Sequence, residues 1–196
     1  PYARARTGLY EFADSLIGET LETVGDDVLV VVMSDHGFRS WHRAFSLNSW
    51  LEEAGYLAVR EEDPASRNSM DFLMNVDWGR TQAYGLGLTG LYLNQRDREE
   101  AGIVPESQRD LLLDEISRRL SRVRDPVTGE NVVARVQRRE DYRNRGALEV
   151  GPDLVVEFVG GVRNSDASAG GKVPAEVFTD NESLWSGDHI MDHLSV

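Results

Sequence analysis

The sequence has no cysteine and a single lysine, Lys172, and its longest aliphatic run is the six residues 28–33. Each scarcity excludes something. Without cysteine there is no disulfide framework, no thiolate metal ligand and no thiol nucleophile. Lys172 is followed by Val173 rather than serine or threonine, so there is no phosphate-cradling P-loop. No Gly-x-Ser-x-Gly elbow occurs, which removes the usual serine hydrolase. A run of six apolar residues is far short of the roughly 20 needed to span a bilayer, so no membrane segment is expected. Basic residues are in deficit, 21 Lys+Arg against 34 Asp+Glu for a formal charge of −13, which leaves no basic face for a nucleic-acid duplex. The first residue is Pro1 and no apolar leader core follows, which reads as a processed or excised N-terminus.

What remains is enough for a core. With 40% hydrophobic residues in 196, the chain fits one domain or one piece of a larger one. Leu9, Phe12, Ala13, Leu16, Ile17, Leu21 and Val24 recur at three- and four-residue steps and predict an amphipathic helix, stopped by Gly25. The β-branched run 28–33 predicts a central strand buried on both faces. A helix followed by such a strand points to a layered α/β domain with a largely parallel sheet.

Further along, residues 46–54 read as a short helix stopped by Gly55, 57–59 as a brief strand and 61–69 as an exposed loop. Residues 83–93, with three glycines, predict two short strands and turns. Pro105 opens a second helix whose Leu112, Leu113, Ile116, Leu120 and Val123 face inward. Residues 125–129 form a turn signal, 132–136 and 153–159 read as strands, and 160–171 as a loop.

The sharpest chemical signal is Ser34-Asp35-His36-Gly37-Phe38, directly after the expected central strand. Ligands of open α/β sheets bind beyond the carboxyl ends of strands. A carboxylate beside an imidazole suits a divalent cation, zinc in particular. Side chains of adjacent strand residues diverge, so both reach one ion only where the chain turns, and Gly37 makes that turn cheap. The alternative is that Asp35 caps a turn and His36 is an ordinary loop histidine. A second signal, Trp185-Ser186-Gly187-Asp188-His189, offers His189 as a further ligand and Asp188 as the residue that orients it. His42 and His193 read as surface or packing residues. Asp77-Trp78-Gly79-Arg80-Thr81 reads as a buried tryptophan with a local Asp77–Arg80 ion pair. Arginines 118, 119, 122, 124, 138, 139, 143 and 145 cluster, and a solvated helix face explains them more simply than a phosphate patch.

Taken together, residues 30–38, 47–57, 76–84, 124–130 and 185–192 resemble the alkaline phosphatase superfamily, specifically its type I phosphodiesterase/nucleotide pyrophosphatase branch. The blocks occur in family order over nearly the whole chain. Ser-Asp-His-Gly alone is shared with sulfatases; the tryptophan-rich blocks and the late Gly-Asp-His favour the phosphodiesterase branch. The resemblance implies a three-layer αβα core with a mostly parallel sheet, over 1–196 as a single partial domain. It also implies two divalent metal ions, by preference zinc, with Asp35 and His36 on one and His189 on the other, and Asp188 behind them. The substrate would be a small phosphate ester or a nucleotide.

The resemblance marks departures too. The family's Thr or Ser nucleophile and an Asp-x-x-x-His pair have no counterpart here, so no catalytic nucleophile is assigned. The chain then corresponds to a portion with three of six metal ligands, its missing N-terminal part being the expected partner, and should be inactive alone. Two other readings stand: a non-catalytic module of the same fold, and a metal-dependent phosphomutase of the same superfamily.

Overall fold

The computed structural model describes residues 3–34, 36–60, 72–141 and 150–188. Two compact units emerge, Pro1–Asp35 and His36–Val196.

In the first unit the expected helix forms as α1, Ala3–Val24. Its hydroxyl residues turn inward on their own backbone: Ser15, Thr20 and Thr23 donate to the carbonyls of Glu11, Leu16 and Glu19 at 2.9, 2.7 and 2.7 Å. Gly25 ends the helix at φ +72°, its N–H on the Leu21 carbonyl at 3.2 Å. The expected buried strand at 28–33 does not form. Leu29 is 88% and Met33 83% exposed, and none of these residues pairs with a strand among the described residues. A β-branched run records propensity only; a strand also needs a neighbour to take its N–H and C=O groups, and none is supplied.

The second unit is mixed α/β, in agreement with the class expected, but its pairing is mostly antiparallel where a mostly parallel sheet was expected. The elements are β1 (Arg39–Ser40), β2 (Arg43–Phe45), α2 (Leu47–Glu53), β3 (Ala83–Leu86), β4 (Gly90–Leu93), α3 (Glu106–Leu120), β5 (Val133–Arg138), β6 (Leu154–Phe158), β7 (Val162–Asn164), α4 (Asp166–Ala169), β8 (Phe178–Asp180) and β9 (Gly187–Asp188). They form a four-stranded sheet β3-β4-β6-β5, a three-stranded sheet β7-β2-β8 and the pair β1-β9. Among these pairings only β2 with β7 is parallel. The cause lies in the first unit: the run expected to seed a parallel sheet stays outside every sheet. The expected loop at 160–171 contains β7 and α4, both too short to show a period. The loop expected at 61–69 lies outside the described residues.

Packing follows alternation. On β6, Leu154, Val156 and Phe158 are buried and Val155 and Glu157 are half-buried. On α3, Leu113, Ile116 and Leu120 point inward at three- and four-residue steps, with Pro105 at the N-cap and Arg118 and Arg119 in the last turn, where the helix dipole favours cations. Phe45, Leu47, Leu51, Leu91 and Leu93 complete the core. Each fully buried side chain of this kind contributes roughly 2 kcal/mol relative to exposure.

Two buried polar residues tie these layers. Asn48 on α2 accepts the Gly85 N–H at 2.7 Å and donates to the carbonyls of Gly85, Ser168 and Lys172 at 3.0, 3.2 and 3.2 Å, joining α2 to β3 and α4. Asp153, fully buried before β6, accepts the Leu93 N–H at 2.8 Å and both Arg98 NH groups at 3.0 and 2.8 Å. Arg109 and Arg139 approach the same carboxylate at 3.5 Å. No helix among the described residues is long and apolar enough to cross a membrane.

Candidate functional site

Two very short strands bring the two chemistry-bearing segments side by side. β1 runs antiparallel to β9 with Arg39 opposite Asp188 and Ser40 opposite Gly187. The Trp41 N–H extends the ladder to the Ser186 carbonyl at 2.7 Å. Gly187 serves a steric purpose in this pair: a Cβ there would lie 3.2 Å from Cε1 of Phe38, so the phenyl ring packs on the bare glycine. The His36 ring stands 6.2 Å from the Phe38 ring, centroid to centroid. A chain of contacts therefore runs from His36 through Phe38 to Gly187 and Asp188.

His36 is exposed, and its Nδ1 lies 3.2 Å from the Gly37 carbonyl. Asp188 is 3% exposed. Its Oδ1 meets a guanidinium NH of Arg163 at 3.4 Å. Arg163, from β7, stacks over the Trp41 ring at 4.3 Å and also pairs with Asp166. Among the described residues its Nε is buried without a hydrogen-bond partner. Asp188 therefore anchors the end of β9 through a buried ion pair, a role with no local trace in the sequence, because β7 and β9 meet only in the fold.

Of the predicted ligands, Asp35 and His189 lie outside the described residues; His36 is described. Imidazole is a common ligand type for divalent cations. Among the described residues, however, no three His, Asp or Glu side chains gather as a metal would require.

The other motif residues sort as follows. His42 is exposed at the surface, as expected, with its backbone N–H on the Gly161 carbonyl at 2.9 Å. His193 lies outside the described residues. The expected Asp77–Arg80 ion pair is absent: the Asp77 carboxylate accepts the Gly79 N–H at 3.1 Å instead, and Arg80 is exposed. The turn at Gly79 brings a backbone donor to the carboxylate, while the long arginine gains more from water. Trp78 is half-buried, edge-on to Tyr84 at 5.0 Å. The arginine cluster divides. Arg138 is engaged by Asp110 and Asp114, and Arg139 by Asp153. Arg119, Arg122 and Arg124 face a cleft. Arg143 and Arg145 are outside the described residues.

Residues 2–173 match the family model described as type I phosphodiesterase / nucleotide pyrophosphatase. The match takes in Asp35 and His36 and ends before Asp188 and His189. Comparison with curated proteins and with solved structures gave no match.

Proposed function

The chain belongs to the type I phosphodiesterase/nucleotide pyrophosphatase family of the alkaline phosphatase superfamily, and on that premise we propose that its β1–β9 pair marks the centre of a metal-dependent phosphoric-ester hydrolase. The family is one of phosphodiesterase- and pyrophosphatase-type hydrolases. The observation that carries the reading further is the register of Arg39 opposite Asp188, which lays the segment after His36 along the segment before His189.

In this reading Asp35 and His36 hold one divalent cation and His189 a second, with zinc preferred by a mixed oxygen and nitrogen donor set. Two such ions supply charge stabilisation for the attacking and leaving oxygens of an in-line displacement. The chain's own residues prepare the place. The Gly37 carbonyl lies 3.2 Å from Nδ1 of His36. Gly187 admits Phe38 and lets the two segments close. Asp188, tied to Arg163, steadies the strand end from which His189 departs. The substrate is a small phosphate ester or a nucleotide.

No nucleophile is assigned among these 196 residues, and three ligands are fewer than two metal ions need. The chain by itself is therefore expected to bind metal weakly and to turn over little. Equilibrium dialysis against zinc, with hydrolysis of bis(p-nitrophenyl) phosphate measured alongside, tests the proposal. Retention of zinc by the wild type, with loss in H36A and in H189A, supports it. Equal retention in all three contradicts the ligand assignment, and robust turnover by this chain contradicts the missing nucleophile.

A further inference from the structure

Between α2, the end of α3 and β8 the second unit carries an open cleft of about 810 Å³, within the size range of small-molecule sites. Four guanidiniums line it, from Arg43, Arg119, Arg122 and Arg124, against the two carboxylates of Glu53 and Glu176. In a chain of net charge −13 this concave surface reverses the local sign. None of the described residues of the β1–β9 pair lines it.

We propose that this cleft is a second binding site, separate from the β1–β9 pair, for a small molecule bearing a multiply charged phosphate group. The argument rests on how each guanidinium is already used. Arg43 is committed: it bonds Asp125 at 2.6 Å and Asp180 at 2.7 Å and lies over the Phe178 ring at 5.3 Å, so it forms wall. Arg119 is placed, and only loosely paired: it also donates to the Ala54 carbonyl at 3.3 Å. It stacks on Tyr56 and Trp50 at 5.0 and 5.9 Å and donates to the Tyr56 hydroxyl at 2.9 Å, while Glu115 stays 3.8 Å away. Among the described residues the Arg124 guanidinium is held by one neutral acceptor, the Gly129 carbonyl at 2.8 Å. Arg122 is exposed, its backbone N–H bonds the Arg119 carbonyl at 3.1 Å, and its guanidinium has no hydrogen bond or ion pair among the described residues.

Three cationic heads thus face one concavity: Arg122 and Arg124 have no carboxylate partner among the described residues, and Arg119, loosely paired with Glu115, is held in place by aromatic rings. Ordering a guanidinium before binding removes part of the entropic cost of holding a ligand. Planar guanidiniums match phosphate oxygens through paired N–H bonds, and several are satisfied together only by a multiply charged oxyanion. Glu53 and Glu176 would repel an extended polyanion, which favours a small ligand over a nucleic-acid strand.

Calorimetric titration of the metal-free full chain with inorganic pyrophosphate tests the site, and the absence of metal separates its outcome from that of the proposed hydrolase centre. One pyrophosphate per chain is expected. Losing one charge-assisted contact in R122A should weaken binding about tenfold. The double variant E53Q/E176Q should tighten it several-fold. R118A, an exposed arginine of α3 that does not line the cleft, should leave binding unchanged. Unaltered thermal melting of R122A, an exposed position, would show that the fold is intact. The proposal is overturned if pyrophosphate fails to bind at millimolar concentration, if R118A weakens binding as much as R122A, or if citrate binds as tightly as pyrophosphate.

Discussion

Asp188 faces Arg39 across an antiparallel pair, and its buried carboxylate is answered from β7 by Arg163 at 3.4 Å. A strand of two residues has almost no stability of its own, so this ion pair and the stacking of Arg163 on Trp41 help to fix β9, beside the Trp41–Ser186 backbone bond and the Phe38–Gly187 contact. Breaking a buried pair strands its partner's charge. D188A is expected to cost about 3 kcal/mol in urea unfolding, with a coupling to R163A in a double-mutant cycle. A cost under about 0.5 kcal/mol, the range of ordinary surface substitutions, would mean that the pair does not hold the strand.

Asp153 sits where Arg98, Arg109 and Arg139 converge, so its removal takes away their shared buried carboxylate and leaves them Glu99, Asp110 and Glu140 nearer the surface. D153A is expected to destabilise by about 4 kcal/mol. D110A, which removes an exposed partner of Arg138, should cost under about 1 kcal/mol. Chemical denaturation of the two variants side by side checks the contrast.

Asn48 provides a test by substitution series. Its amide donates to three backbone carbonyls and accepts from one N–H. N48A removes all four bonds, though the Ser168 carbonyl keeps the Gly171 N–H at 3.0 Å, at a cost of about 2 to 3 kcal/mol. N48D should be worse, because a carboxylate replaces the donating amide and faces carbonyl oxygens. Equal melting temperatures for N48A and N48D would contradict the network.

Asp125 gives the fold an acid limb. Burial opposes its ionisation, but the N–H groups of Val127 and Thr128 and the Arg43 guanidinium outweigh burial and hold the carboxyl below the usual range. Its contribution is therefore complete above the ordinary aspartate value of about 4 and is lost as pH falls through the lowered folded value. Melting temperature followed from pH 7 downward should fall below about pH 4, and D125N should flatten that fall. An unchanged acid limb in D125N would assign it to other carboxylates.

Local signals carried much of this fold. The two long helices, the hairpin at 83–93 and the Asp125 turn rest on periodicity, glycine and an Asx side chain, all written within a few neighbouring residues. What escaped is non-local. β1, β2, β8 and β9 are two or three residues long and exist only because distant segments pair, and Arg163 matters only once β7 lies beside β9. The run 28–33 shows the reverse error, a strong β signature without a partner to complete it. In the candidate site, residue types pointed to His36 and Asp188, but the contact of Phe38 with Gly187 that links their segments depends on tertiary packing.

The central claim is that His36 and His189 serve one divalent-metal centre. Imidazole ring ¹⁵N spectra of the full chain during a zinc titration test it directly, since His42 and His193 provide internal controls in the same spectrum. Both the His36 and the His189 ring signals are expected to move with zinc while those of His42 and His193 do not, each at the midpoint of its own ion. A response from only one of the two rings, or equal shifts in all four histidines, would contradict the ligand assignment.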